Sequence, residues 1–422
     1  MLVEKKRLIE LLSHEDGRVR SAAIEALENF FFGSGDVIEH LLKAIDSYKY
    51  DIGFVLELMT AMKNFIPTEE DAKKILRLYI ETIKDNGDSA EVIELYLSDV
   101  LIDFPFQLLE NNYATLSPYK DLVRIYRGAK EVEQVRSLEP EVLWEQLTER
   151  CERYYNKKMD DFDNINCKIF VESLSQKQMR EKIKDNVIKY LSQTTDVNHH
   201  LEDFLVNLAG NLKLEETVPY LFRILIDSDF MDYVYSSCIR SLGKIGTPEV
   251  VKEIGTLYGA YPNLRISLAE ILKYIPYDYS EEMAIRLLQD ETDPGVITFL
   301  AGSLCDIFSI KSGPMILDII REKRYNPVAI QLLDILVPVY AYHDKTIDNL
   351  AELEKEDIPF REAALEAEPL FRMLRHNLSL NKLKAKLNSE PVTPRLENID
   401  WGRKMPRNRI PSKKKHKKKK RR

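Results

Sequence analysis

VPYLFRILIDSDFMDYVYSSCIRSLGKIGTPE, residues 218–249, is the first of four consecutive units that decide the fold. The other three run on to Asp344 as VVKEIGTLYGAYPNLRISLAEILKYIPYDYSEE, MAIRLLQDETDPGVITFLAGSLCDIFSIKSG and PMILDIIREKRYNPVAIQLLDILVPVYAYHD. Each unit reads as a helix, a polar break and a second helix, and the second helices align without gaps. Their equivalent positions are Cys238, Leu268, Leu300 and Leu332, then Leu242, Leu272, Leu304 and Leu336, then Ile245, Ile275, Ile307 and Val339.

These positions form an apolar stripe on every second helix. Within a unit they stand at i, i+4 and i+7, which is one face of an α-helix. The leucines recur at separations of 30, 32 and 32 residues, so we expect each helix pair to bury its stripe against the neighbouring pairs. The dipeptides Thr247-Pro248 and Asp293-Pro294, and also Gly313-Pro314, place proline where a helix can begin, and we expect the threonine and the aspartate to cap the free amides.

The N-terminal segment Leu11–Phe30, LLSHEDGRVRSAAIEALENF, resembles a HEAT repeat. Two leucines end a helix, an acidic turn follows, and Val19, Leu27 and Phe30 are placed to fill the space between helix layers. The alanines at 22, 23 and 26 allow adjacent helices to approach closely. The resemblance implies an all-α, HEAT-like (armadillo-like) α-α superhelix, or solenoid, and we predict that it spans residues 1–388.

The region between these segments has a looser pattern. The polar segment 156–166, NKKMDDFDNIN, reads as a long loop inside one array or as a boundary between two arrays. Helices are predicted at 69–84, 89–102, 118–126, 139–155 and 177–191.

The net charge of −8 combines two opposed segments. Residues 401–422 hold 13 Lys or Arg and no acid, which leaves 48 basic and 69 acidic residues in 1–400, so the body carries −21 and the tail +13. A polar linker at 389–400 separates them. Such an acidic body repels phosphate backbones whereas the tail attracts them, so we expect binding of RNA, the ribosome or DNA to localise to the tail.

The tail is predicted to be disordered in isolation, because its charge repels itself. No aromatic residue follows Trp401, so the tail has no ring on which nucleic-acid bases could stack, and its preference among nucleotide sequences should be slight. A solubility role, or a loose tether to the acidic body, is the alternative. The cations expected to bind the anionic partner are Arg403, Lys404, Arg407, Arg409, Lys413, Lys414, Lys415, Lys417, Lys418, Lys419, Lys420, Arg421 and Arg422.

The end of the tail also resembles the SEC-C zinc terminus of many bacterial helical proteins. The resemblance rests on Gly402-Arg403, Pro406 and the lysine cluster. Arginines 407 and 409 stand where that family has its first cysteine pair, and no cysteine follows Cys305, so zinc is not carried over. What the resemblance implies is basic contact with a ribosome or a partner protein without the metal.

Enzyme motifs are scarce in this sequence. His14-Glu15 is a single pair of the kind that binds metal, and it stands in an acidic turn without further ligands. His199 and His200 would point about 100° apart on a helix, so they cannot both bind one ion from the same face. The segment 160–166 lacks the glycine and the closing glutamate of a calcium loop. The four scattered cysteines favour buried, reduced thiols. No phosphate loop and no GxSxG elbow occurs. We therefore predict no catalytic, metal or cofactor residues.

The function predicted from the sequence is a non-enzymatic scaffold or adaptor. A protein or peptide binds on the solenoid surface, and the polybasic tail contacts the anionic partner. One alternative is an enzyme whose site is assembled across repeats, of metal-dependent hydroxylase, bilin-lyase or DNA-glycosylase type. Another is that the tail acts as a nuclear import signal. With no signal core and no spanning stretch, we expect a cytoplasmic protein, or a nuclear one in a eukaryote. The oligomeric state stays open.

Overall fold

The computed structural model describes residues 1–84, 90–102, 104–155, 164–175, 180–193, 198–228 and 232–367. These residues form α-helices, joined by turns and short 3-10 segments, and they contain no β-strand. The all-α prediction is therefore confirmed. The helices are α1 Lys5–Leu11, α2 Gly17–Phe30, α3 Val37–Ser47, α4 Ile52–Met62, α5 Glu69–Thr82, α6 Ala90–Ile102, α7 Phe106–Asn111, α8 Tyr113–Leu116, α9 Lys120–Arg136, α10 Pro140–Tyr155, α11 Asn164–Leu174, α12 Arg180–Leu191, α13 His199–Asn211, α14 Val218–Asp227, α15 Tyr233–Ile245, α16 Pro248–Ala260, α17 Arg265–Leu272, α18 Asp278–Asp290, α19 Pro294–Asp306, α20 Gly313–Arg321, α21 Leu332–Tyr342 and α22 Leu350–Ala367.

The chain divides into two compact units, Met1–Ala364 and Leu365–Arg422. The description that follows concerns the first unit. All five helices predicted in the middle of the chain are present. Four have bounds within three residues of the prediction, whereas α9 runs ten residues beyond the predicted end of 118–126. The predicted polar break at 156–166 lies partly outside the described residues, and its last three positions belong to α11.

One row of helices packs side by side in chain order. It consists of α2, α4, α6, α9, α11, α13, α15, α17, α19 and α21, and each of these helices contacts the next. The remaining helices flank this row. We call this row the inner row, and every pair of consecutive helices in it is in contact.

The inner row closes on itself, because α21 packs against α2 as extensively as consecutive row helices pack elsewhere. We call this contact the seam. The Arg7 guanidinium donates hydrogen bonds to the backbone oxygens of Ala341 and Tyr342, both at 2.9 Å. The backbone N–H of Glu4 donates to the Tyr342 hydroxyl at 2.7 Å, and Leu2 N–H donates to the Pro276 oxygen at 2.8 Å. Helix contacts therefore form a circuit without free ends.

The predicted apolar stripe is buried throughout. Eleven of its twelve side chains are fully inaccessible to solvent, and the other, Ile245, is 5% exposed. Burial of one such leucine contributes about 1.5–3 kcal/mol relative to exposure, so each repeat of the stripe adds to the stability of the array. In the N-terminal motif, Val19, Ala23 and Leu27 are also fully buried, whereas Phe30 is only half-buried.

Hydrogen bonds between adjacent units repeat the sequence period. Arg223 Nη2 donates to the Leu191 oxygen at 2.6 Å across 32 residues, and the Tyr279 hydroxyl donates to the Gly246 oxygen at 2.6 Å across 33. The Tyr235 and Ser267 hydroxyls are also bonded, again 32 residues apart. The period therefore appears in polar contacts as well as in the apolar stripe.

Helix starts follow the sequence pattern only in part. The Asp293 carboxylate caps α19 by accepting from the N–H groups of Gly295 and Val296 at 2.8 and 3.1 Å, as predicted. The prediction for Thr247 was wrong. The residue is half-buried, its hydroxyl oxygen is buried without a hydrogen-bond partner, and the side chain makes no capping bond to α16, since a β-branched side chain has few rotamers from which to reach the amides.

Candidate binding surfaces

The solvent-facing side of the inner row carries half-buried carboxylates. Burial raises the pKa of Glu28 on α2, Glu57 on α4, Asp203 on α13 and Glu270 on α17. The strongest case is Asp306 on α19, where burial raises the carboxyl pKa to about 7. A carboxylate whose pKa rises in this way has lost water without gaining a compensating charge.

Hydrogen bonds to neutral groups hold three of these carboxylates in place. Asn64 Nδ2 donates to Glu28 at 2.5 Å, Ser21 Oγ donates to Glu57 at 2.8 Å, and the Ser237 hydroxyl donates to Asp203 at 2.5 Å. Each bond joins two units of the array. Among the described residues, none of these acids forms an ion pair with Lys or Arg, so their negative charge is oriented but not neutralised.

The acids near the seam come from distant parts of the sequence. Asp306 lies near Glu25 of α2, whose charge adds to the rise in its pKa, and near Lys273, which opposes that rise. Lys273 is also close enough to Glu270 to lower its pKa against the effect of burial. Closure of the inner row thus places carboxylates from α2, α17 and α19 in one electrostatic neighbourhood.

A polar ladder continues along the row at the ends of α11, α13 and α15. Asn211 Nδ2 donates to the Ser175 hydroxyl at 3.1 Å, and Lys244 Nζ donates to the Asn211 Oδ1 at 2.6 Å. Burial lowers the pKa of Lys244, and the nearby Arg240 lowers it further. This part of the row is therefore mixed in charge, in contrast to the acidic part near the seam.

An ion network holds the seam from the flanking side. Arg18 at the start of α2 pairs with Glu354 at 2.8 Å and with Asp334 at 3.3 Å, more than 300 residues away. Arg361 pairs with the other oxygen of Asp334 at 2.8 Å. The hydrogen bond from Arg18 to Asp16 is the largest cause of the raised pKa of the guanidinium, which stays charged.

The thirteen tail cations predicted as site residues lie at 403–422, outside the described residues. The predicted linker at 389–400 lies outside them too. The inner-row acids were not predicted, although their positions could have been found by reading which residues of each second helix lie opposite the buried stripe.

The weaker chemical motifs lie in ordinary surroundings. Asn198 caps α13, whose first residue His199 is 81% exposed and 3.4 Å from Glu202, so His199 lies at the surface. His14 Nδ1 accepts from the Asp16 N–H within the turn before α2. Every cysteine is a buried thiol. Within the described ranges there is no group of three or more His, Cys, Asp or Glu side chains that could hold a metal ion.

Comparisons with known proteins identify no family. No protein-family model matches the chain, and no curated protein matches it. A crystal structure of an engineered protein is similar at 15% sequence identity, covering 86% of this chain and 98% of the other with a TM-score of 0.27. A likeness at this level carries no argument about fold or function. Across the described part of the chain, no helix is both long enough and apolar enough to cross a membrane.

Proposed function

We propose that this protein is a non-enzymatic HEAT-like scaffold that binds a basic protein segment on its inner row. The observation that carries the proposal is the set of half-buried inner-row carboxylates without ion pairs, of which Asp306 is the extreme case. A partner segment rich in Lys or Arg would supply the missing positive charge. The attraction between these carboxylates and a partner cation would be stronger than on an open surface, because the carboxylates are already partly desolvated.

The repeated architecture supports the scaffold part of the proposal. Helix pairs joined at intervals of 32 to 33 residues offer a long surface of similar sites, which suits an extended partner. The HEAT resemblance of the N-terminal motif agrees with this arrangement. The partner class follows from charge, since Glu28, Glu57 and Glu270 lie on three separate helices of the same row.

Binding of basic peptides to charge-neutralised variants tests the inner-row proposal. We expect a Lys/Arg-rich peptide to bind the natural protein, and the triple variant Glu57→Gln, Glu270→Gln, Asp306→Asn to bind it at least about tenfold more weakly. A matched variant with Glu70→Gln, Glu110→Gln and Glu322→Gln removes three acids from flanking elements and should bind as the natural protein does. Equal loss in both variants would mean that only the overall charge matters, which would overturn the inner-row assignment.

We further propose that the tail, residues 401–422, docks the scaffold to an anionic partner such as RNA or the ribosome. Its support is the segregation of +13 charge in 22 residues next to a body of −21. A chain lacking these residues should lose salt-sensitive RNA association while its circular dichroism and melting temperature stay unchanged. RNA binding that survives the deletion with the same salt dependence would rule out the tail as the contact.

A further inference from the structure

A groove runs between the flanking helices α16 and α18, on the side of the unit away from the inner row. It forms a pocket of about 460 Å³ that is widely open to solvent, and this volume lies within the size range of small-ligand sites. The cavity is lined by Lys252 and Thr256 of α16 and by Met283 and Arg286 of α18. Its position and charge make it independent of the acidic surface proposed above.

Glycine on α16 creates the groove. A Cβ atom at Gly255 would stand 2.8 Å from the Met283 methyl and 3.4 Å from Arg286 Nη2, so the absence of a side chain lets both residues of α18 lie across the helix backbone. One turn later, a Cβ at Gly259 would meet nothing within 4 Å. Packing therefore does not explain this second glycine, which weakens a helix by about 0.5–1 kcal/mol relative to alanine. Gly259 is exposed in the last turn of α16 and leaves the helix backbone open beside the groove.

The two cations of the cavity are not neutralised by the protein. Neither Lys252 nor Arg286 has a carboxylate within ion-pair distance among the described residues, whereas neighbouring cations such as Arg265 and Lys311 are paired. The hydrogen bond of Arg286 goes to the Met283 sulfur at 3.0 Å, a weak acceptor. Both side chains are exposed to solvent, and both line the same pocket in a body whose net charge is −21.

The rest of the cavity lining is neutral. The Tyr279 hydroxyl donates to the Gly246 oxygen at 2.6 Å, and the Thr256 hydroxyl donates to the Lys252 oxygen at 3.2 Å. No carboxylate lines this cavity in the described residues. An adjoining cavity of about 340 Å³ shares Gly255 and Arg286, but its lining also contains Arg265 and two acids, so only the first cavity has an excess of positive charge.

We propose that the groove binds a phosphate monoester, with the phosphoryl group between Lys252 and Arg286. A phosphate monoester carries about −1.5 to −2 charges at neutral pH, which matches two cations, whereas a carboxylate would leave one of them uncompensated. The planar guanidinium can bind two phosphoryl oxygens at once, and the lysine adds a point charge. The remainder of the ligand extends over Gly259 into the adjoining cavity.

Methyl NMR of the full-length protein tests this site without interference from the basic tail, because the Met283 methyl group lies in the groove. Its signal is assigned with Met283→Leu, and phosphoserine is titrated as the probe. We expect a saturable shift of the Met283 signal that is weakened about tenfold or more by Arg286→Gln and by Lys252→Gln, since each removes a charged hydrogen bond. Arg321→Gln, an exposed cation on α20, is the matched control and should leave the titration unchanged.

A second titration identifies the source of the phosphate group. If the natural ligand is a phosphorylated protein segment, a phosphoserine peptide should bind more tightly than phosphoserine, and Gly259→Ala should remove that gain without changing phosphoserine binding. If it is a small phosphate ester, the peptide should give no gain. A Met283 signal that does not move, or that moves equally in the natural protein and in the Arg286 and Lys252 variants, would overturn the site.

Discussion

Replacement of Arg18 by alanine tests the closure of the inner row. Arg18 joins α2 to Glu354 and Asp334 through hydrogen bonds of 2.8 and 3.3 Å, and its side chain is 31% exposed. Exposed ion pairs contribute about 0–1 kcal/mol and charged hydrogen bonds about 1.5–3 kcal/mol, so a half-buried pair with one short bond should contribute about 1–2 kcal/mol. We expect the free energy of seam opening to fall by that amount.

Hydrogen exchange read by mass spectrometry is the suitable measurement, because it reports local opening. A loss of about 1.4 kcal/mol raises the exchange rate of affected amides about tenfold. We expect faster exchange in α2 and, more than 300 residues away, in α21, with α9 unchanged. Arg321→Ala, whose guanidinium pairs with Asp318 on the same helix at 3.3 Å, is the matched control and should have no effect.

The closed circuit also predicts energetic coupling between its ends. A double-mutant cycle with Arg18→Ala and Glu354→Ala should give a coupling free energy of about 0.5–2 kcal/mol. Faster exchange confined to α2 and α4, together with no coupling in the cycle, would refute the closure and would mean that the N-terminal pair packs only on its neighbour in sequence.

Two further predictions concern single positions on the array. Gly243→Ala would place Cβ 2.5 Å from the Tyr274 Cβ and should lower the free energy of unfolding, measured with urea, by about 1–3 kcal/mol. Gly259→Ala should raise it by about 0.5–1 kcal/mol, because nothing lies within 4 Å of the added Cβ. Equal effects of the two substitutions would contradict the packing described. For Asp306, the folded-state pKa of about 7 lies above the ordinary 3.8, so its contribution to stability is complete below about pH 4 and is lost as the pH rises through 7. Asp306→Asn should therefore flatten the fall in unfolding free energy over that interval, and a slope that persists unchanged would show that another group titrates.

The helix pairs could be predicted from the sequence because the apolar pattern that specifies each helix is local. The recurrence of Leu242, Leu272, Leu304 and Leu336 marks one buried position in each unit, and all four are fully buried. Periodic burial of this kind depends on residues within one helix and its nearest neighbours, so it can be read without knowing the rest of the chain.

Closure of the inner row could not be predicted in this way. It depends on pairs such as Arg18 with Glu354, and no local pattern relates residues so far apart. The position of each inner-row acid on its own helix is a local property, but the proximity of Asp306 to Glu25 is not, since Glu25 comes from the opposite end of the array. The error at Thr247 has another origin, because a capping pattern specifies which residue can accept a hydrogen bond but not the rotamer that packing selects. The role of the tail stays a prediction.

The seam has a consequence for how such a protein can change in evolution. A linear array gains or loses a unit at one end while the other units keep their neighbours, and its terminal units must be specialised as caps. Here the first pair is also the neighbour of the last, so Arg7 meets Tyr342 only when the number of intervening units is right. Duplication of a single unit would misalign the ends and expose two apolar helix faces at once, which makes the repeat number a property of the whole molecule.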